Sequence, residues 1–161
     1  MKILGIDPGY ERLGVAIIEK DIGTGGKEVL LHSGCIQTSA QLPFSERLRI
    51  LGAEIEELIK KYKPHSLTIE KLYFQNNQKT AMNVAQAIGV IIYIAKSHGL
   101  EVFEYTPLQI KSACAGSGRA DKKQIMTMLP HLIKIDKSIK YDDEYDAIAV
   151  GLTHLAHNPK L

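Results

Sequence analysis

Lys2-Ile-Leu-Gly-Ile-Asp7, Pro8-Gly9-Tyr10-Glu11-Arg12 and Leu13-Gly-Val-Ala-Ile-Ile-Glu19 read as two β-rich runs joined by a segment of hairpin-loop composition. A third run, Glu28 to Thr38, extends them into a meander. Further along, Pro43 and Ser45 precede a stretch in which Leu48, Leu51, Ile55, Leu58 and Ile59 recur at helical spacing, and Pro64 closes it. Ser66-Leu-Thr-Ile-Glu70 is a short strand ending in a carboxylate. Thr80 to His98 is rich in Ala with Val84, Ile88, Ile91 and Ile92, the composition of a helix buried on nearly every side and stopped by Gly99. Glu101 to Tyr105 is another strand, and Gln109 to Ala115 and Asp121 to Leu129 are short helices, with Asp121 as the cap of the second. The last helix, Tyr141 to His157, opens on Asp142, Asp143 and Glu144, which its N-terminal dipole favours. Three strands followed by helix, strand, helix, strand and helices predict an α/β fold: a mixed five-stranded sheet flanked by helices, its later strands parallel to the first.

The 161 residues, 45% apolar and 24% charged, suit one domain with its own core and speak against disorder or a fibrous chain. The longest apolar run, Ala87 to Ala95, has nine residues, about half a membrane span. The N-terminus lacks a signal-peptide pattern, so the expected address is the cytoplasm with no membrane partner. Cys35 and Cys114 have no metal-ligand spacing and are expected to be small apolar residues in a reduced protein. Asp21 to Gly26 is expected to be a mobile surface turn, and no helix follows it to make a phosphate loop.

Asp7 and Glu70 each end a strand, so in parallel neighbours both carboxylates emerge at the C-terminal edge of one sheet, where open α/β folds place their sites. Asp143 and Asp146 stand three apart on one helix face, with Asp142 left as a cap. Singly, each acid has an ordinary role in a turn or a cap; jointly, four carboxylates from three elements converge and require a compensating cation. Oxygen-only ligands suit Mg²⁺ or Mn²⁺, and two such ions roughly 3.5–4 Å apart would activate water and stabilise the leaving oxygen of a phosphodiester. His154 lies eight residues beyond Asp146, about 12 Å along the helix, too far to share the metal. All six histidines are expected to be structural or surface residues.

The formal charge of +2 is unevenly spread. Residues 107 to 140 carry seven bases, including Lys111, Arg119, Lys122 and Lys123, against two acids, a local +5. Such a segment is either a solvated surface or the footprint of a polyanion. The Gly116-Ser117-Gly118 turn offers backbone N–H groups to a phosphate. Tyr73 and Phe74, in a polar loop after Glu70, either stack on an unpaired base or serve the core or a dimer contact.

Gly5-Ile-Asp7-Pro-Gly9, Ile69-Glu70 with Tyr73-Phe74, Gln109-Ile-Lys111, Gly116-Ser-Gly118-Arg-Ala-Asp-Lys122 and Asp143-Glu-Tyr-Asp146-Ala-Ile-Ala149, in that order, resemble the RuvC family of bacterial Holliday junction resolvases from Met1 to about His157. The opening motif alone also fits actin-like ATPases and sugar kinases, but those need a second domain that 161 residues cannot hold. A non-catalytic DNA-binding subunit would lack the carboxylate quartet.

The resemblance implies a single RNase H-like nuclease domain and a homodimer cutting opposed strands of a four-way DNA junction. It also implies two Mg²⁺ per site, 5′-phosphate ends, and work beside the RuvA and RuvB branch-migration complex. It implies Asp7, Glu70, Asp143 and Asp146 as metal ligands and catalytic residues, with Tyr73 near the crossover and Lys111 and Lys122 on DNA or phosphate; Phe74 beside Tyr73 and Arg119 in the basic segment are expected DNA contacts from their own positions. It points to the Thr80 to His98 helix for the dimer contact. Tyr73 stands where the family often has Phe, and Asp146 where some members have His.

Overall fold

The computed structural model describes residues 1–20, 28–72 and 78–158, so the Asp21 to Gly26 turn, Tyr73 and Phe74 lie outside the described residues. The elements are β1 (Lys2–Asp7), β2 (Arg12–Glu19), β3 (Val29–Gln37), α1 (Phe44–Tyr62), β4 (Ser66–Glu70), α2 (Gln78–Ser97), β5 (Glu101–Tyr105), α3 (Pro107–Ala115), α4 (Lys122–Leu132) and α5 (Asp142–His157). The sheet order is β3-β2-β1-β4-β5. The β1–β2–β3 meander is antiparallel, and β4 and β5 run parallel to β1, as the order of elements predicts.

Alternation along the strands assigns the two faces. Leu4, Ile6, Leu13, Val15, Ile17, Leu67 and Ile69 bury against α1 and α2. Ile3, Ala16 and Ile18 bury with α5, α3 and α4 on the other side. Because side chains repeat every second residue in a strand, Asp7 shares the α5 face with Ile3 and Gly5, and Glu70 shares it with Thr68.

One helix differs from the sequence expectation. Among the described side chains of α2 only Ala87, Ile91 and Ala95, one stripe, are buried, while Tyr93 is 73% and Met82 60% exposed. Among the described residues nothing covers its apolar outer face, because α1 and the sheet reach one side alone. The helix enclosed on nearly every side is α5, buried from Ala147 through Leu155 between the sheet and α3 and α4. Small residues permit this. A Cβ on Gly5 would lie 2.4 Å from the Ala147 carbonyl oxygen, so helix and strand backbones meet directly. The stop at Gly99 holds: with φ +78°, it lets Leu100 N–H reach Ala95 O at 3.0 Å and Gly99 N–H reach Lys96 O at 3.0 Å. Among the described residues no helix is long and apolar enough to cross a membrane.

Candidate active site

Asp7 and Glu70 end neighbouring parallel strands and line one cleft with Pro8, Lys71, Thr106, Pro107 and Lys111. α5 crosses the same sheet edge and brings Asp143 and Asp146 over it. Gly14, the register partner of Asp7, is the spacer: a Cβ there would sit 2.0 Å from the Asp143 carbonyl oxygen and 3.1 Å from Asp7 Cβ.

The electrostatics follow from this convergence. The Asp7 carboxyl is pushed up to about 8, first by burial and then by the charges of Asp146, Glu70 and Asp143, with Lys122 opposing. Among the described residues no hydrogen bond reaches it. Glu70 is raised by burial and by Asp146, against the pull of Lys111 and Lys122. Asp146 is raised chiefly by burial, with a Lys122 hydrogen bond working the other way. The charges of Asp146, Glu70 and Asp143 thus all bear on Asp7.

Two cations stand among them. Arg12 donates through Nε to Asp143 Oδ2 at 2.8 Å, through Nη2 to the same oxygen, and through Nη2 to Asp142 Oδ1 at 2.6 Å. Lys122 Nζ donates to Asp142 Oδ2 at 2.8 Å and to Asp146 Oδ2 at 2.6 Å. With these side chains so engaged, no three His, Cys, Asp or Glu side chains among the described residues stand together as a ready metal-binding group.

Several expectations change here. Asp142 is not the cap: Tyr141 holds that position without a side-chain hydrogen bond, and the Asp142 carboxylate is taken by the two cations, Arg12 and Lys122. Asp121 does cap α4, in a reciprocal box with Gln124. The basic segment is not one free surface, because Lys134 pairs with Asp136 at 2.9 Å and Lys137 with Glu144 at 2.7 Å. Lys111 lies in the Asp7–Glu70 cleft. Arg119 lies outside it, in a separate hollow with Ser117, Lys123 and Gln124. Cys35 sits near Asp143, its thiol pushed up to about 11 mainly by burial, and Cys114 is buried. His154 is fully buried and bonded to Tyr105 Oη at 2.8 Å, a structural role as expected.

Arg12 is the residue that sequence reasoning missed. Its partners lie 130 and 131 positions away. The available signal was the acidic quartet's need for a counter-charge, together with a base in the loop that follows Asp7.

The family model for crossover junction endodeoxyribonuclease RuvC matches residues 3–154. A crossover junction endodeoxyribonuclease RuvC of Desulfitobacterium hafniense is 45% identical over 161 residues, covering 100% of this chain and 95% of that protein. The Thermus thermophilus RuvC structure superposes with a TM-score of 0.89 at 31% identity, covering 99% of this chain and 96% of that one. The same protein in complex with Holliday junction substrate matches with a TM-score of 0.89 at 30% identity over 98% of this chain and 94% of that one. The sheet order, the flanking helices and these full-length matches agree on an RNase H-like fold, and the chain belongs to the RuvC family of crossover junction endodeoxyribonucleases.

Proposed function

We propose that this chain resolves Holliday junctions by paired, symmetric, metal-dependent hydrolysis of phosphodiesters during recombination and DNA repair, leaving 5′-phosphate ends. The observation that carries the reading is the Asp7 carboxyl, half-buried without a hydrogen bond among the described residues and opening on a cleft beside Glu70 and Lys111. A charged acid so placed is costly unless a cation joins it. The donor set of Asp7, Glu70, Asp143 and Asp146 is all oxygen, which fits Mg²⁺, or Mn²⁺ in its place, with two ions expected. Bound there, such ions supply Lewis-acid stabilisation of the attacking and leaving oxygens.

The chain's own residues do the rest. Asp7, which feels the charge of all three other acids, would hold the metal together with Glu70 from β4 and Asp143 and Asp146 from α5. Lys111, on the cleft wall, faces the scissile phosphate with a point charge. Lys122 joins it once free of Asp146, and Arg119 holds the DNA backbone farther out. Tyr73, with Phe74 beside it in sequence, is the candidate aromatic for an unpaired base near the crossover. Two cuts require two sites, and the exposed outer face of α2 supports a homodimer: Tyr93 and Met82 project there beside a groove lined by Leu48, Ala53, Val90 and Ile94. The RuvA and RuvB complex is the expected partner on the junction.

The test offers four-way junction, linear duplex and single strand to the protein with Mg²⁺ or EDTA. Only the junction with Mg²⁺ is expected to yield paired nicks, and Asp7→Asn is expected to abolish them while junction binding persists. Cleavage in EDTA, or by Asp7→Asn, refutes the assignment.

A further inference from the structure

Arg12 and Lys122 come from distant parts of the chain and end on the first turns of α5. Asp142 links them, accepting from Arg12 on Oδ1 at 2.6 Å and from Lys122 on Oδ2 at 2.8 Å. Each cation also holds one acid of the quartet, Arg12 on Asp143 and Lys122 on Asp146. The arrangement is built rather than incidental. The Arg12 guanidinium lies 5.4 Å from the Tyr141 ring centroid, and the loop before it is fastened by Thr38 N–H to Glu11 O at 3.0 Å. Buried Arg47 braces the same loop, bonding Thr38 Oγ1 at 2.8 Å and stacking on Tyr10 at 4.7 Å.

Half-exposed ion pairs of this kind contribute little to stability, so holding up the fold does not account for the construction. What they do change is the availability of the carboxylate oxygens. Asp143 Oδ2 accepts two N–H groups from Arg12, so both lone pairs of that oxygen are taken and a metal ion at this carboxylate competes with the guanidinium.

Resting on the reading of Asp143 and Asp146 as metal ligands, we propose that Arg12 and Lys122, clipped together by Asp142, are built-in counter-ions of the site. They neutralise its acids in the metal-free protein, and a divalent ion competes with Arg12 for the Asp143 carboxylate. The displaced guanidinium and ammonium then stand at the cleft mouth with N–H donors free for a phosphodiester. Metal and DNA backbone therefore favour each other's binding, by an equal factor in both directions. Arg12 in this scheme is a positioning residue that sets the metal threshold.

Mn²⁺ titration of the full-length, DNA-free protein, read by electron paramagnetic resonance of the free ion, tests this without any turnover. Arg12→Gln is expected to tighten Mn²⁺ binding about fivefold, the scale of one competing ion pair. Arg12→Lys, which keeps the charge but cannot span two carboxylates, falls between it and the unaltered protein. Asp142→Asn is the sign test. Removing an acid weakens metal binding if only the local field matters, whereas unclipping both cations strengthens it. Weaker binding in Asp142→Asn, or unchanged binding in Arg12→Gln with its thermal melt preserved, overturns the counter-ion role. Should Asp7→Asn bind Mn²⁺ as well as the unaltered protein does, the ligand reading itself falls and takes this inference with it. Binding that depends on Asp7 but ignores Arg12 removes the counter-ions alone.

Discussion

Gly14→Ala is the most informative single change because its methyl group enters the space between Asp7 and Asp143. Built on the existing backbone, the new Cβ lies 2.0 Å from the Asp143 carbonyl oxygen and 2.7 Å from its carbonyl carbon. Side-chain rotation cannot relieve a contact with backbone. To reach even the shortest tolerated separation of 3.0 Å, the first turn of α5 and β2 must part by at least 1.0 Å. The displacement falls on Asp143 and spreads toward Asp146, whereas Asp7 and Glu70 stay with the parallel strands. A shift of about 1 Å in a positioned group costs roughly 100-fold in rate. Overpacking of this kind costs about 1–3 kcal/mol of stability, which a domain of this size tolerates. The assay is single-turnover cleavage of a four-way junction at saturating Mg²⁺, with junction affinity measured in parallel and folding checked by circular dichroism. The expected result is a folded protein that binds the junction and cuts it about 100 times more slowly. Cleavage at the unaltered rate by a folded Gly14→Ala protein refutes the claim that glycine spacing assembles the site.

Three further outcomes follow from the same geometry. Since the Asp7 carboxyl is raised to about 8 in the folded chain, the native state holds a proton that the unfolded state has released; in EDTA, stability is therefore lost as pH rises from about 4 toward 8. Asp7→Asn is expected to flatten that fall and melt several degrees higher at pH 8, as scanning calorimetry will show; an identical pH profile refutes it. Glu144 is buried and accepts from Ser33 Oγ at 2.9 Å and Lys137 Nζ at 2.7 Å, so Lys137→Met strands its carboxylate at a cost of about 2 kcal/mol, reduced by the partial exposure of Lys137 and read from urea midpoints. Tyr93→Glu puts a charge on the uncovered face of α2 and is expected to shift the protein toward monomer in light scattering, leaving junctions nicked on one strand; an unchanged mass moves the dimer contact elsewhere.

What could be read from the sequence was whatever local periodicity encodes. Alternation in Ser66 to Glu70 put Leu67 and Ile69 on one face and Glu70 with Thr68 on the other, and the spacing of Asp143 and Asp146 put both acids on one side of their helix. Burial was harder, because composition does not say how many neighbours a helix has. α2 and α5 are both rich in small and apolar residues, yet α5 is covered on both sides and α2 on one. The charges were hardest. Lys137 read as a surface base, and it closes a buried network with Ser33 and Glu144, while Arg12 read as a loop residue, and it holds an acid 131 positions away. Pairings across such distances leave no trace in any short window. The same is true of Gly5 and Gly14, whose missing side chains matter only because α5 lies against them.

That α5 lies directly against β1 and β2 also governs when the site comes into being. The first hairpin and the fourth strand emerge early in synthesis carrying Asp7 and Glu70, but their α5-facing surface waits for a helix that begins at Asp142. Contacts of such long sequence separation form slowly and late. Any growing chain that has not yet reached α5 has an open apolar sheet face, which calls for chaperone protection, and holds only half of the acidic quartet. If the quartet acts as proposed, unfinished chains are unarmed: a partly made nuclease cannot cut DNA before its own fold closes.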